Sequence, residues 1–170
     1  NPSSGRCDYQ SLSSFKIDEI NQYSALVFPQ INSLGVLEEV DLLTNFCQDN
    51  RIRSIACIDP YLLGENGLKP PVEFGRDGAD FIAGDAQHLA IPPNFGGPGL
   101  GIFGCRYNPD KKSDLRNTPG RYIGQAKDLN GRDCHVMVLS TREQHIRKEK
   151  ATSNVCSNQA FLATLSLIHI

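Results

Sequence analysis

Between Arg142 and Lys150 the chain carries four cations, Arg142, Arg147, Lys148 and Lys150, together with Glu143, Glu149 and His145. A polar Thr152-Ser153-Asn154 follows, and then a helix-like run from Val155 to Ala163. Two readings fit this pattern. In one, a solvated charged face leads into a helix whose orphan amino-terminal N–H groups are capped by Ser or Asn side chains. In the other, the cations and the helix amino end form a site for an anionic group. His145 would then offer acid–base chemistry and Arg142 a clamp for carboxylate or phosphate. If 142–150 is helical, Arg142 and His145 share one side while Arg147 falls elsewhere, so all three cannot address one ligand.

A second candidate is Asp59, which closes the apolar run Ser54–Ile58 and precedes Pro60. Either it caps a turn, or it stands at the carboxyl edge where open α/β sheets place ligands. The run Gly96-Gly97-Pro98-Gly99-Leu100-Gly101 misses Gly-x-Gly-x-x-Gly by one place and opens a strand rather than a helix, so it reads as a structural turn. Arg121, after Pro119-Gly120, suits an interface. No Gly-x-Ser-x-Gly elbow occurs, and no carboxylate pair stands out.

The elements that must position these residues follow from apolar patterning. Ser24–Phe28 and Ser54–Ile58 are continuous apolar runs, predicted as strands buried on both faces. Between them Val36, Val40, Leu43 and Cys47 fall at helical spacing, which predicts a helix over 36–49, ended by Asn50. Strand, helix and strand make a right-handed parallel crossover. Further strands are expected at 79–83 and 102–105, and a hairpin at 122–127 and 135–139 around Asn130-Gly131. Short helical turns are expected at 16–22, with Ile17 and Ile20 inward, at 70–74 and at 111–116. Residues 1–14 read as a loop.

At 170 residues the chain can bury one real core, and a net charge of −2 argues against a nucleic-acid or membrane-surface protein. No apolar run nears the roughly 20 residues that span a bilayer. The six cysteines include no Cys-x-x-Cys pair for zinc or redox work, and Cys47, Cys57, Cys105 and Cys156 lie in apolar runs. Small buried thiols in a reducing, cytoplasmic compartment are expected.

The run Thr141 to Ala160 closely resembles the signature of glycine dehydrogenase (decarboxylating), the P-protein of the glycine cleavage system. Four shorter matches precede it in the same order: Leu68-Lys69-Pro70-Pro71, Gly78-Ala79-Asp80, Asn94-Phe95-Gly96-Gly97-Pro98 and Pro119-Gly120-Arg121. The resemblance covers roughly Ala25 to Thr164 and points to subunit 1 of the two-subunit form, or the amino-terminal half of the single-chain form. It implies an α/β fold, part of the large domain of the aspartate-aminotransferase-like (fold type I) pyridoxal-phosphate enzymes, with a mostly parallel sheet, flanking helices and a β-hairpin. It further implies glycine decarboxylation, with transfer of the aminomethyl group to a lipoyl carrier protein.

In that fold Asp59 matches the carboxylate that pairs with the cofactor's pyridine nitrogen. The Schiff-base lysine position falls on Gln87, or with a one-residue slip on His88, and neither can form an imine. The resemblance therefore marks this copy as one that does not hold pyridoxal phosphate covalently, and Asp59 as a relic. The cofactor is expected on a lysine-bearing partner, subunit 2 or the carboxyl-terminal half. A different fold type I enzyme, or a scaffold or binding subunit without catalysis, is the alternative. Both ends read as cut: residues 1–164 are expected to be a partial large domain, and Leu165–Ile170 resembles a translated adapter tail.

Overall fold

The computed structural model describes Ile20 and residues 22–93, 95, 99–111, 114, 118, 122–138 and 159–169. Four strands form one sheet in the order β1 (Ala25–Pro29), β2 (Arg53–Ile58), β3 (Phe81–Asp85) and β4 (Gly101–Cys105). The first three are parallel, and β4 runs antiparallel to β3. Helix α1 (Val40–Asp49) makes the crossover from β1 to β2. A short helix, α2 (Gln87–Ala90), follows β3. Strands β5 (Tyr122–Lys127) and β6 (Asp133–Val138) form a separate hairpin, whose turn places Gly131 at φ +78°. Helix α3 (Ala160–His169) packs against α2.

The sheet forms because the runs expected as strands are strands, with ends shifted by one or two residues. The α1 helix differs more, since it starts at Val40 rather than at Val36. Val36 and Leu37 are instead held by the turn after β1, where Leu37 bridges Ile31 and Asn32 Oδ1 accepts from Val36 N. Val36 is accordingly exposed, not inward. At the far end Asn50 stops the helix as expected, its Nδ2 donating to the Phe46 carbonyl at 2.8 Å. Pro71–Glu73 forms the expected single turn, as a 3₁₀ helix. Ile20 is buried beside Cys47 and Ile52.

The helix expected over 155–163 is described only from residue 160, and it continues through 165–169. Its Leu162 and Ser166 are buried.

Burial departs from the expectation of strands covered on both faces. One face of the sheet packs under α1, where Phe28, Val40, Ala56, Ile58, Phe74 and Ala79 form the core. The other face carries Val27, 60% exposed, and Phe103, 42% exposed, with Phe81 against Phe103. In β2 buried and half-buried residues alternate strictly. Parallel strands are normally covered on both sides, and among the described residues only one side is.

At the amino end of β3 Asp80 is buried. Its Oδ2 accepts from the Ser54 backbone N–H at 3.1 Å and the Ser54 hydroxyl at 3.2 Å, and its Oδ1 lies 3.4 Å from Arg106 Nη2. These bonds lock β2, β3 and the residue after β4 together. No helix of the described residues is long and apolar enough to cross a membrane.

Candidate functional site at the carboxyl edge of the sheet

Three parallel strands end side by side, and each end carries a polar residue. Gln30 follows β1, Asp59 follows β2, and Asp85 closes β3. Gln30 is buried and donates from Nε2 to the Lys69 carbonyl at 2.8 Å, which ties the edge to the Leu68-Lys69-Pro70-Pro71 turn. Asp59 accepts at Oδ1 from the Tyr61 N–H at 3.0 Å and so caps the 3₁₀ turn Pro60–Leu63. Asp85 accepts from the Gln87 N–H at 2.7 Å across the turn into α2, whose N-cap is Ala86. The strand-end carboxylates thus start the next element of the chain, as short acidic side chains do at caps.

Helix α2 then carries His88 back over β2. Its Nε2 lies 2.9 Å from Asp59 Oδ1, and the Tyr61 ring meets the imidazole edge-on at 6.1 Å between centroids. The approach of β3 to β2 is close here. A Cβ on Gly84 would run into the Ile58 carbonyl oxygen, so this position takes glycine. The Asp59–His88 pair stays open to water, at 47% and 42% side-chain exposure. Beside it lies a cleft of about 220 Å³, lined by Asp59 and Cys57 together with the apolar Ile31, Leu62 and Leu68.

The structure therefore brings together Asp59 and His88, two of the residues picked from the sequence, with Gln87 one position away on α2. Arg142 and His145 lie outside the described residues, as do Arg121, Gly96, Gly97 and Pro98. Gly99 and Gly101 lead into β4. Of the lysines, Lys69 is held by Asp41 of α1 at 2.7 Å and Lys127 by Asp133 of the hairpin. Neither is among the residues that line the cleft beside Asp59. Among the described residues no group of three or more His, Cys, Asp or Glu could hold a metal.

Sequence reasoning missed two features. Nothing in the sequence singles out Tyr61, yet its N–H and its ring both serve the Asp59–His88 pair. Asp80 figured only as part of a motif, although its seat between Ala79 and Phe81, just ahead of a strand, is the signal of a buried carboxylate.

The profile of the family described as Glycine cleavage system P-protein matches residues 7–170. The chain belongs to the glycine cleavage system P-protein family. Among its relatives, the probable glycine dehydrogenase (decarboxylating) subunit 1 of Thioalkalivibrio sulfidiphilus is 43% identical over 169 residues, which are 99% of this chain and 35% of that protein. The protein of the same name from Nitrosomonas europaea is 41% identical over the same span. A crystal structure of glycine decarboxylase (P-protein) of the glycine cleavage system, in inhibitor-bound form, superposes with a TM-score of 0.69 at 34% identity. That match covers 86% of this chain and 31% of the other. The P-protein stretch described here thus spans about a third of the length of its relatives. Its mixed sheet, mostly parallel and flanked by helices, is the α/β architecture that the resemblance implied.

Proposed function

We propose that this chain is part of a glycine decarboxylase of the glycine cleavage system and supplies the half that carries no Schiff-base lysine. The reaction releases carbon dioxide from glycine and passes the aminomethyl group to a lipoyl carrier protein. Subunit 1, the name its relatives bear, implies a partner subunit, and we assign the lysine to that partner or to the other half of a fused chain. Residues 1–164 belong on this reading to the large domain of the aminotransferase-like fold. A reducing cytoplasm suits it, supported by the free thiols of Cys47, Cys57, Cys105 and Cys134.

The observation that carries the proposal is the Asp59–His88 pair. A covalently held pyridoxal phosphate needs a primary amine for its aldehyde and a carboxylate open to its ring nitrogen. This edge offers Gln87 and His88 in place of the amine. Its carboxylate meets the His88 imidazole and the Tyr61 N–H through Oδ1 alone, so it is the amine, not the carboxylate, that this edge lacks. The residues present do not fit a cofactor held covalently on this chain, so its part in the reaction is to support a site and not to bear the cofactor. Arg142 and His145 remain our candidates for contact with substrate or carrier.

Borohydride reduction of the assembled enzyme loaded with pyridoxal phosphate tests the assignment. The label should fall on the partner, and stoichiometric label on a lysine of this chain would overturn it. Arg142→Ala in the same assembly should lower glycine decarboxylation sharply with thermal stability within a few degrees of wild type. A large loss of stability with activity per folded molecule intact would make Arg142 a structural ion-pair member.

A further inference from the structure

Asn-Gly occurs twice in the sequence, at Asn66-Gly67 and Asn130-Gly131. The pair is chemically labile, because glycine has no side chain to shield its backbone nitrogen from the neighbouring amide. Both pairs are exposed and both stand in turns. The turns are built differently. Around Asn130, the bonds across the turn all run to Asp128. Its carbonyl accepts from the Gly131 N–H at 2.9 Å, and its own N–H donates to the Arg132 carbonyl at 2.9 Å. Its Oδ1 accepts from the N–H groups of Asn130 and Arg132, each at 2.8 Å. A Cβ on Gly131 would meet nothing within 4 Å, so this turn has room to rearrange.

Around Asn66, the Gly67 N–H donates to the Gly64 carbonyl at 2.8 Å and the Leu68 N–H to the Leu62 carbonyl at 2.7 Å. Gly67 is packed tightly there, since a Cβ on it would run into the Leu62 and Gly64 carbonyl oxygens. Leu62 and Leu68 also line the cleft beside Asp59, so opening this turn disturbs two cleft side chains as well.

We propose that Asn130 is a site of spontaneous deamidation restrained by Asp128, and that packing keeps Asn66 inert. The Gly131 nitrogen, once it has left the Asp128 carbonyl and lost its proton, attacks Asn130 Cγ. The N–Cγ bond forms, the Cγ–Nδ2 bond breaks, and ammonia leaves with that proton. Water then opens the cyclic imide at either carbonyl, giving aspartate or isoaspartate. The imide nitrogen carries no hydrogen, and isoaspartate adds one carbon to the backbone. The open turn at Gly131 accommodates both changes. At Asn66 they would remove the bond to the Gly64 carbonyl and drive Gly67 against the Leu62 carbonyl.

The test follows the full chain through long incubation at mildly alkaline pH, with peptide mass spectrometry at both asparagines. In the native chain conversion should proceed at Asn130 and lag far behind at Asn66, whereas in denaturant the two should be comparable. Asp128→Ala should quicken conversion at Asn130 about fivefold, the factor that one lost hydrogen bond corresponds to, and leave Asn66 unchanged. Equal native rates at the two asparagines, conversion confined to the denatured chain, or an unchanged rate in Asp128→Ala overturns the proposal. If that variant does not fold, amide hydrogen exchange in the wild-type chain decides. The Gly131 N–H should exchange faster than the Gly67 N–H, because its turn opens by itself. Equal or slower exchange at Gly131 sinks the proposal.

Discussion

Asp59 and Asp80 stand at opposite ends of the same sheet and are used in opposite ways. Asp80, at the amino end, is 7% exposed and enclosed by the Ser54 N–H, the Ser54 hydroxyl and the Arg106 guanidinium. Asp59, at the carboxyl end, is 47% exposed and shares a histidine with water. A buried carboxylate is tolerated only when its acceptors are filled, and removing it strands the partners. An exposed ion pair is worth about 0–1 kcal/mol. One end of the sheet is therefore fixed by its aspartate, and the other keeps its aspartate available to whatever approaches the edge.

The contrast can be broken most directly by truncating each residue in the full chain. Asp80→Ala should cost about 3–5 kcal/mol, read from the denaturation midpoint at constant slope, because Arg106 and the Ser54 N–H lose their acceptor. Asp59→Ala should cost about 1 kcal/mol, mainly the loss of its cap on the Pro60–Leu63 turn. Comparable losses at the two sites would remove the distinction.

Cys47 sharpens the same contrast from beneath the sheet. Burial, and then the negative charge of Asp80, push its thiol up to about 11 from 9.0. Two pH units in pKa leave roughly a hundredfold less thiolate at neutral pH. Alkylation of Cys47 in the native protein at pH 8 should be slow by about that factor relative to the unfolded chain. A native rate near the unfolded one would mean that Cys47 is not shielded.

Gly84 lies between the two ends. A methyl group there must displace the Ile58 carbonyl, and overpacking of this kind costs about 1–3 kcal/mol. Gly84→Ala should show that loss in the denaturation midpoint, together with a shift of the His88 imidazole resonances. A neutral Gly84→Ala would show that β2 and β3 can part without cost.

The smallest effect is expected at Asp41, in the first turn of α1. A bond from the Lys69 ammonium, then one from the Gly75 N–H, hold its carboxyl below the ordinary aspartate value. A lowered folded-state pKa stabilises the fold above the unfolded value and loses that contribution as pH falls through the folded value. Acid titration below about pH 4 should thus destabilise wild type slightly more than Asp41→Asn, by at most about 1 kcal/mol for so exposed a group. A steeper loss in the Asn variant would reverse the sign.

The strands were legible because their apolar runs are short, continuous and bounded by Pro, Asn or Asp. β5 was read to the residue from its alternation and the Asn130-Gly131 turn. The α1 start was misread because Val36 keeps helical spacing with Val40. Spacing cannot show that Asn32 captures the intervening backbone. At the candidate site, Asp59, Gln87 and His88 were placed by the resemblance, and strand ends put them on one edge. Their mutual arrangement was not legible, since contact between residues so far apart in sequence depends on how α2 leaves β3. Burial of the second sheet face was expected from the continuous apolar runs, but the described residues bring nothing to cover it.

One helix face has a consequence for how this protein breathes. Asp41, Asn45, Gln48 and Asp49 lie at successive turns of α1 and hold the connection 69–78. Asp41 accepts from Lys69 and the Gly75 N–H, and Asn45 from the Arg76 N–H. Gln48 reaches the Gly78 carbonyl, and Asp49 pairs with Arg76. A connection with little regular structure would ordinarily fray by itself. Here the amides of Gly75 and Arg76 have side-chain acceptors on a helix, so opening of α1 removes both acceptors at once. Any change that destabilises α1 should therefore quicken hydrogen exchange at Gly75 and Arg76 as well as within the helix.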